Sequence, residues 1–519
     1  MIGTFWAFVP AIVAIVLALI TKQVYVSLFV GILVGALFFV GGNPLEVLGT
    51  VYTVMSNQVG GNTPILVFLV ILGIFVVLMQ KSGGSKAYGE WAEKKISSKK
   101  GALCATAALG CLIFVDDYFN CLTVGSVMRP VTDKFKVSHS KLAWIIDSTA
   151  APVCIIAPIS SWAAAVSGQL EGNGLVVFIK TIPFNVYAIL TIIMVFVFCA
   201  RNFDFGKMKK NEEIAEETGD LNAGETDLPT DEDASIIVNP KGKVRHLIIP
   251  VIILIACCIG GMIYSGYFFN WDTGSYGKEL QSANVIEAFS NCDAGTSLAI
   301  GSTVALIIVA VYYMIEKVVT FKQITESFTQ GFKTMVPAIL ILTFAWTISG
   351  IMGAKGGYLD AQAFVQNNME KIPAAIKALF PAIFFILACG IAFSTGTSWG
   401  TFGVLVPIAV TILGGSGTLV LLTVSATLGG AVFGDHVSPI SDTTILASTG
   451  GNCNHVDHVK TQFPYAATIA IIAFLSYIVA GFVTTLGSVL CAVIMWAVVA
   501  VLFIGSLYLI KIIEKKQAK

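Results

Sequence analysis

Eleven consecutive residues, 434–444, form a dense group of polar side chains in this chain. They read Gly-Asp-His-Val-Ser-Pro-Ile-Ser-Asp-Thr-Thr and stand between two long apolar runs. Charged side chains are costly to bury at membrane depth, and a proline-broken backbone there needs hydrogen-bond partners. Such a stretch is therefore typical of an ion or substrate site. The candidate ligands within it are Asp435, His436, Ser438, Ser441, Asp442 and Thr443.

Other polar clusters that interrupt apolar sequence offer the same kind of ligand. Na+ is a hard cation that prefers oxygen ligands, so carboxylates, hydroxyls and amides suit it and thiols do not. We predict Na+ binding at four aspartates, which are Asp116, Asp117, Asp435 and Asp442. A buried carboxylate can also take up a proton near neutral pH, so Na+ and H+ would compete for it. The further candidate ligands are Asn120, Asp147, Ser148, Ser160, Ser394, Thr395, Thr397 and Ser398.

Each cluster also has a structural interpretation. Asp116 and Asp117 could cap a helix, and Asp147 could be a solvated residue near the membrane interface. The hydroxyls at 394–398 could satisfy backbone groups that a break in a helix leaves free. His436 could titrate near neutral pH or be a hydrogen-bonded structural histidine. The remaining histidines lie beside basic loops and are expected to have no special role, namely His139, His246, His455 and His458.

The overall composition indicates a polytopic membrane protein with little soluble mass. The chain has 519 residues, of which 56% are hydrophobic and 12% charged, and its mean hydropathy is +0.84. Soluble domains carry about 25% charged residues, and apolar windows long enough to span a bilayer recur along this whole chain. The first window has no basic residues before it, so we expect no cleaved signal peptide. The eleven cysteines are scattered, without the spacing of a metal or disulfide framework.

Basic residues predict which loops face the cytoplasm. Lys and Arg concentrate in five segments, which the positive-inside rule places on the cytoplasmic side: 81–100, 129–141, 201–245, 317–333 and the C-terminal tail 511–519. Segments with few basic residues fall between them and are predicted to lie outside: 41–62, 171–174, 269–295 and 356–376. The acidic stretch 201–244 contains few aromatic residues, so we predict a flexible cytoplasmic linker between two halves of the chain.

Two apolar stretches begin and end on the same side of the membrane under this assignment. Residues 101–129 have the Asp116-Asp117 pair near their midpoint, and residues 380–413 have a polar tip at 394–398. We therefore predict two re-entrant hairpins that enter from opposite faces. A Pro-Ile-Ser motif follows each of them, at 158–160 and at 439–441. Inverted repeats with broken helices that meet near the midplane are typical of secondary transporters.

The predicted fold is an all-α polytopic membrane protein with inverted structural repeats and discontinuous helices. It has about ten full spans in addition to the two re-entrant hairpins. The predicted segments are N-terminal scaffold spans (1–63), a first repeat (64–200), the linker (201–244), connecting spans (245–333), a second repeat (334–484) and a final span with a cytoplasmic tail (485–519).

The stretch 434–444 closely resembles the hallmark of the NhaC family of Na+/H+ antiporters, which belongs to a wider ion-transporter superfamily. The hairpin at 101–129 and the stretch 147–152 resemble the first-half motifs of that family, and the similarity covers about residues 5–510. The resemblance implies a bacterial inner-membrane transporter, a homodimer, in which a hairpin-bearing transport domain moves against a scaffold. It also implies ion-site roles for the acidic residues at matching positions, which are Asp116, Asp117, Asp147, Asp435 and Asp442. The linker and the external loop around 271–293 make this chain longer than the simplest members.

Two transport functions agree with these observations. One is exchange of Na+ for H+ by alternating access, and the other is Na+-coupled transport or exchange of an organic acid or amino acid, because the family includes such exchangers. No Lys or Arg lies at the predicted site, so a carboxylate substrate would be held by helix N-termini and hydroxyls. We predict Na+/H+ exchange, with no enzymatic activity, no cofactor and no nucleic-acid partner.

Two other classes of function are less favoured. An intramembrane enzyme would need a triad from Asp435, His436 and Ser438, and residues so close along the chain cannot easily face one another in relay. A passive channel could also be built from inverted repeats with broken helices. Movement of an ion against its gradient would separate a transporter from a channel.

Overall fold

The computed structural model describes residues 1–21, 23–170, 173–225, 239–270, 275–277, 280–285, 287–288, 292–353, 358–361, 363–364, 368, 372–414 and 417–517. The first half contains α1 (Val9–Thr21), α2 (Val24–Val40), α3 (Pro44–Lys81), α4 (Gly84–Lys95), α5 (Lys99–Leu112), α6 (Asp117–Lys134), α7 (His139–Thr149), α8 (Ala151–Cys154), α9 (Ser161–Ser167), α10 (Gly174–Thr181) and α11 (Val186–Arg201).

The second half is also helical, apart from a short antiparallel ladder of β1 (Phe269–Asn270) with β2 (Ser275–Tyr276). Its helices are α12 (Gly206–Thr218), α13 (Arg245–Phe268), α14 (Ala294–Ile315), α15 (Phe321–Met352), α16 (Ala374–Ala378), α17 (Phe380–Thr395), α18 (Ser398–Leu413), α19 (Thr418–His436), α20 (Asp442–Gly451), α21 (His455–Phe482) and α22 (Ser488–Gln517). The fold is therefore all-α in the described residues outside this ladder, as predicted.

Within the described residues, eight stretches are long and apolar enough to cross a membrane. They are Pro44–Lys81, Val186–Thr218, Arg245–Phe268, Gly295–Ile315, Phe321–Met352, Thr418–His436, His455–Phe482 and Ser488–Ile513. The stretch Val186–Thr218 comprises two separate helices, of which α11 is apolar and α12 is charged. The shorter apolar helices Phe5–Ala18 and Tyr25–Val40 bring the candidate spans to ten, the number predicted from the sequence.

The two longest spans, α3 and α15, pack directly against each other. Asn43 caps α3 and Pro44 is its first residue, which is a common way for a helix to begin. Thr320 and Gln323 form a capping box at the start of α15. A Cβ atom on Gly73 would lie 2.2 Å from the carbonyl oxygen of Gly331, so glycine allows the close approach of the two helices. The predicted repeat boundaries at 64 and 334 fall inside these continuous helices.

Both predicted hairpins are present as pairs of helices joined by a short connection with a polar residue at the start of the second helix. In the first, α5 and α6 are joined by residues 113–116. In the second, α17 and α18 are joined by Gly396 and Thr397, and Gly396 has a φ of +66° that favours glycine. The predicted broken segments are also present, because the chain leaves helical geometry between α8 and α9 and again between α19 and α20.

The prediction of a flexible linker over 201–244 is wrong for its first part. Residues 206–218 form the helix α12, which packs against α7 and α21. Its buried side chains recur on one face, with Met208, Glu212 and Ala215 all covered by the rest of the protein. This spacing explains why a charged sequence folds here as an amphipathic helix. Residues 226–238 of the predicted linker lie outside the described residues, as do parts of the stretches 269–295 and 356–376.

Candidate ion-binding site

Each hairpin tip ends in a capped helix N-terminus. Helix α6 begins after Asp116, whose Oδ1 accepts a hydrogen bond from the backbone N–H of Phe119 at 3.0 Å. Helix α18 begins after Thr397, whose Oγ1 accepts from the backbone N–H of Gly400 at 3.3 Å. Asp116 therefore caps a helix, which is one of the two roles that the sequence allowed for it. Only one of its two carboxylate oxygens accepts this hydrogen bond.

The two Pro-Ile-Ser motifs also end in capped helix N-termini. Ser160 accepts a hydrogen bond from the N–H of Ala163 at 3.0 Å at the start of α9. Ser441 accepts from the N–H of Thr444 at 3.2 Å at the start of α20. In both repeats this serine follows the hairpin cap by 44 residues, from 116 to 160 and from 397 to 441. The same local structure thus recurs at the same spacing in both halves.

The half-helices α6 and α20 lie side by side and point in the same direction. The Sγ of Cys121 lies 3.7 Å from the carbonyl oxygen of Thr443, near the start of both helices. Further along, the backbones of Gly125 and Gly450 are in contact. The two N-termini therefore meet at one level, and one comes from each repeat. Since a helix N-terminus carries partial positive charge, this pair stabilises nearby carboxylates.

The half-helices α9 and α18 form a second pair that also draws one member from each repeat. The rings of Trp162 and Trp399 are 5.6 Å apart, and Trp162 lies 5.1 Å from Phe402. Both tryptophans stand in the first turn of their helices, so these N-termini also lie next to each other. Neither α9 nor α18 has an acidic residue in its first turn, in contrast to α6 and α20.

Hydrogen bonds fix each hairpin tip against the broken segment of its own repeat. The N–H of Ser161 donates to the carbonyl oxygen of Val115 at 2.9 Å in the first repeat. The hydroxyl of Ser438 donates to the carbonyl oxygen of Phe393 at 2.8 Å in the second. These bonds satisfy backbone groups that the breaks would leave unpaired in a membrane, where no water can replace them. They also bring the four half-helix N-termini to one place.

Three carboxylates are fully buried at this place. Asp116 and Asp117 are 0% exposed and Asp435 is 2% exposed. The Oδ2 of Asp435 accepts a hydrogen bond from the hydroxyl of Thr443 at 2.8 Å. Within the described residues, the other oxygen of Asp435, the Oδ2 of Asp116 and both oxygens of Asp117 accept no hydrogen bond of normal geometry. The donors beside them are the hydroxyl of Ser161 at Asp116 and the indole N–H of Trp162 at Asp117. Four carboxylate oxygens are thus buried with capacity to bind a cation or a proton.

Asp147 lies in a second group of polar side chains, which the hydroxyl of Thr444 joins to the backbone of Asp435. Its Oδ2 accepts from the Nε2 of Gln462 at 2.6 Å, lies 3.3 Å from the Nε2 of His458 and accepts from the hydroxyl of Thr444 at 3.4 Å. The Nε2 of His436 is 3.9 Å from its other oxygen. Asp147 is 0% exposed. The alternative interpretation of Asp147 as a solvated residue near the membrane interface is therefore wrong.

The sequence indicates no special role for His458, whereas the structure places its ring against Asp147. His458 and Gln462 are four residues apart and lie on one face of α21, and this spacing is the only signal that the sequence offers. His455 also has a structural role, since its Nε2 lies 2.8 Å from the carbonyl oxygen of Pro439 in the broken segment. Tyr187 completes the group, with its hydroxyl 3.0 Å from the Nδ1 of His436.

The remaining predicted residues have mixed positions. The Nδ2 of Asn120 has a structural role, because it contacts carbonyl oxygens at the ends of α5 and α7, those of Gly110, Ile113 and Thr149, at 2.7, 2.9 and 3.0 Å. Its Oδ1 is buried without a hydrogen-bond partner among the described residues, so the amide oxygen stays a candidate ligand. The hydroxyl of Thr395 donates within its own helix to Ile391. Three serines lie near the tips or breaks. Ser148 is buried and Ser394 is half-buried. The hydroxyl of Ser398 donates to the carbonyl oxygen of Ala431. The side chain of Asp442 is exposed, so the structure does not bring it among the buried carboxylates.

A multi-pass helical protein whose half-helices converge on buried, unpaired carboxylates belongs to the class of secondary transporters. The Na+/H+ antiporter family matches this chain over residues 172–482, so the chain is a member of that family. The family is one of antiporters rather than enzymes.

Three relatives show how far the similarity extends. An uncharacterized protein of Haemophilus influenzae is 39% identical over an alignment of 498 residues, which covers 92% of this chain and 91% of that protein. A malate-2H(+)/Na(+)-lactate antiporter of Bacillus subtilis is 29% identical over 31% of this chain and 34% of its own length. The arginine/ornithine antiporter ArcD of Halobacterium salinarum is 37% identical over 22% of this chain and 24% of its own length.

Proposed function

We propose that this antiporter exchanges Na+ for H+ across a bacterial inner membrane by alternating access. The observation that carries the proposal is the group of buried carboxylate oxygens on Asp116, Asp117 and Asp435 that accept no hydrogen bond of normal geometry among the described residues. An unpaired carboxylate is unfavourable in a low-dielectric surrounding, so each one must be neutralised by a bound cation or by a proton. Oxygen ligands such as these carboxylates suit Na+.

Competition between the two ions would couple their opposed movements. When Na+ is bound, the carboxylates stay ionised and the positive ends of α6 and α20 support them. When Na+ leaves on the other side of the membrane, protons replace it and the site again carries little net charge. Because either cargo neutralises the site, the loaded transporter can reorient and the empty one is disfavoured. The C-terminal tail would lie in the cytoplasm, and the homodimer that the family resemblance implies is part of this proposal.

The test is a transport measurement with purified protein in proteoliposomes that contain a pH-sensitive dye. Na+ alone should dissipate an imposed pH gradient, and Asp435→Asn or Asp116→Asn should abolish the response, since an amide cannot be protonated at this pH or carry the same charge. Glu213→Gln is the matched control, because it removes an exposed carboxylate from α12. Failure of the wild type to respond to Na+ alone would contradict Na+/H+ exchange.

A second candidate function is Na+-coupled transport of an organic acid or an amino acid. The N-terminus of α18 favours it, because hydroxyls of Thr397 and Ser398 surround this helix end and no carboxylate is present in its first turn. The indole N–H of Trp399 is buried in the first turn of this helix without a hydrogen-bond partner in the described part of the chain. A helix N-terminus with free donors suits the carboxylate of a solute.

The same proteoliposomes distinguish the two candidates. Pools of dicarboxylic acids, hydroxy acids and amino acids are added with Na+ after the response to Na+ alone has been recorded. If only a pool restores the pH response or accumulates against its gradient, the protein carries an organic solute. Trp399→Phe would then weaken transport of that solute, because phenylalanine keeps the ring and removes the donor.

A further inference from the structure

Three uncharged polar side chains meet where α3 and α15 approach the turn that follows α9. Both polar atoms of the Gln169 amide and the indole Nε1 of Trp346 are buried, and they have no hydrogen-bond partner among the described residues. Trp346 is only 2% exposed. The third member is Asn62, which is half-buried on α3. We name Asn62, Gln169 and Trp346 the amide–indole group.

The backbone of Gly168 brings these side chains together. A Cβ atom on Gly168 would lie 3.2 Å from the Oδ1 of Asn62 and 3.2 Å from the Cζ2 of Trp346, a ring atom close to the indole nitrogen. Gln169 is the next residue in the chain. Helix α18 also approaches its amide, because a Cβ atom on Gly403 would lie 4.0 Å from the Nε2 of Gln169. The group therefore lies at the boundary between two continuous helices, α3 and α15, and two half-helices, α9 and α18.

The amide–indole group offers both donors and acceptors to a ligand. Amide and indole groups lose their hydrogen bonds with water on burial, and the loss is recovered only when a new partner is found. Gln169 has two N–H donors and one acceptor oxygen, and Trp346 has one N–H donor. The Nδ2 of Asn62 already donates to the carbonyl oxygen of Gln58 at 2.9 Å, so its Oδ1 is a second acceptor. None of the three side chains carries a charge.

We propose that the amide–indole group binds the polar end of a neutral amino acid in its zwitterionic form. The carboxylate of the solute accepts hydrogen bonds from the indole of Trp346 and the amide of Gln169, and its ammonium group donates to the oxygens of Gln169 and Asn62. A ligand without net charge suits a site without charge. A dicarboxylate or a basic amino acid would instead bring a buried charge that no member of the group compensates. Binding changes no covalent bond.

The position of the group indicates how a solute reaches it. Asn62 ends the segment 41–62, Gln169 precedes the segment 171–174 and α15 leads to the segment 356–376, all of which are predicted to lie outside. Trp399, four residues before Gly403, adds an unpaired indole N–H on the same face of α18, so the site continues toward the N-terminus of that helix. Alternating access would open this boundary to one side of the membrane.

The inference rests on the second candidate function, for which it names the solute and the residues that bind it. The site is distinct from the carboxylates of Asp116, Asp117 and Asp435, so exchange of Na+ for H+ at those residues is unaffected by the inference. Solute binding and ion exchange can therefore be measured separately.

The test uses Gln169→Leu and Trp346→Phe, which keep similar shapes and remove the unpaired polar atoms. Their matched controls are Gln330→Leu, at an exposed position of α15, and Trp91→Phe, whose side chain is 49% exposed on α4. Thermal unfolding of the purified protein is recorded in detergent with Na+, first alone and then with one of three pools. The pools are neutral amino acids (alanine, serine and leucine), basic amino acids and dicarboxylic acids.

Without solute, both variants should be at least as stable as the wild type, because each loses a buried polar group that has no partner, whereas loss of a structural hydrogen bond would lower the melting temperature. The neutral pool should raise the melting temperature of the wild type and of both controls. Gln169→Leu and Trp346→Phe should each need about tenfold more solute, or more, for the same rise.

Three results would overturn the inference. If only basic amino acids or dicarboxylic acids stabilise the wild type, the class of solute is wrong. If the two variants respond to the neutral pool as their controls do, the solute binds elsewhere, and the second candidate function still stands. If no pool stabilises the wild type, water alone satisfies the amide–indole group and the second candidate function fails as well, while the response to Na+ alone in proteoliposomes still decides Na+/H+ exchange.

Discussion

The backbones of Gly125 and Gly450 are in contact where α6 of the first repeat runs beside α20 of the second. A Cβ atom on Gly125 would lie 2.4 Å from the carbonyl carbon of Gly450, and one on Gly450 would lie 2.6 Å from the carbonyl oxygen of Cys121. No side chain at either position can avoid these backbone atoms. Small residues often allow such close approach of helices in membranes. The contact holds together the N-termini that carry Asp116 and Ser441.

We expect Gly125→Ala to separate these two half-helices. Extra atoms in a tightly packed contact cost about 1 to 3 kcal/mol, and here the strain would also move the buried carboxylates. Thermal unfolding in detergent and Na+ transport should both be impaired. Gly390→Ala in α17 is the control, because nothing lies within 4 Å of a Cβ atom there. Equal stability and transport in the two variants would show that the α6–α20 contact tolerates a side chain.

The serine caps of the broken segments give a second prediction. Ser160→Ala and Ser441→Ala each remove a hydroxyl that accepts a backbone N–H at the start of a half-helix. Loss of such a cap costs about 1 kcal/mol in each variant, and Ser160→Ala should cost somewhat more because its hydroxyl also donates to the carbonyl oxygen of Cys154 at 2.7 Å. Ser506→Ala in α22 is a matched control outside both repeats, since its hydroxyl bonds only within its own helix. The melting temperature of each variant measures the effect, and a loss confined to one serine would argue against equivalent repeats.

The hairpins and broken segments could be predicted because their signals are local. The Pro-Ile-Ser motif near 158 recurs near 439, and a Ser in each copy caps a helix. The acidic pair at 116–117 marks the first tip for the same reason, since a polar residue is needed where a helix begins. Such features depend on residues only a few positions apart. A single sequence therefore contains enough information to place them.

The composition of the site could be predicted only in part, because its contacts join distant parts of the chain. His458 reaches Asp147 across 311 residues, and no pattern in either segment indicates that α21 packs on α7. Asp442 was expected among the ligands because it lies close to Asp435 in the sequence, but the turn at 437–441 leaves its side chain exposed.

Likewise, the residues of α12 were predicted to form a flexible linker because they are highly charged, although Met208, Glu212 and Ala215 follow a helical spacing.

The amide of Asn120 gives a third prediction, about the stability of the first hairpin. It is buried and donates to carbonyl oxygens at the ends of α5 and α7, including those of Gly110 and Thr149. Asn120→Ala leaves these oxygens without that donor, and each unsatisfied buried group costs about 1 to 3 kcal/mol. We expect a large drop in thermal stability, together with faster amide hydrogen exchange in residues 110–120.

A comparison with Asn120→Asp separates this role from direct ion binding. Aspartate has nearly the same shape, but both oxygens of its carboxylate are hydrogen-bond acceptors. One of them would face the backbone carbonyl oxygens that the Nδ2 of Asn120 now contacts, so Asn120→Asp should destabilise the hairpin at least as much as alanine. If Asn120→Asp were instead stable and bound Na+ more tightly than the wild type, the side chain would be an ion ligand rather than a structural donor.

The ion pair of Lys141 with Asp204 gives the last prediction, about the polar layer beneath the site. The two atoms Nζ and Oδ2 are 2.5 Å apart, and the side chains are 0% and 6% exposed. Lys141→Met should cost about 3 to 5 kcal/mol, because it leaves a buried carboxylate without its partner. The double variant Lys141→Met with Asp204→Leu should recover much of the stability, since no uncompensated charge remains. A double-mutant cycle by thermal unfolding measures the coupling. If the double variant is as unstable as the sum of the single ones, the pair does not act as a unit, and α7 is held against α11 and α12 by apolar packing instead.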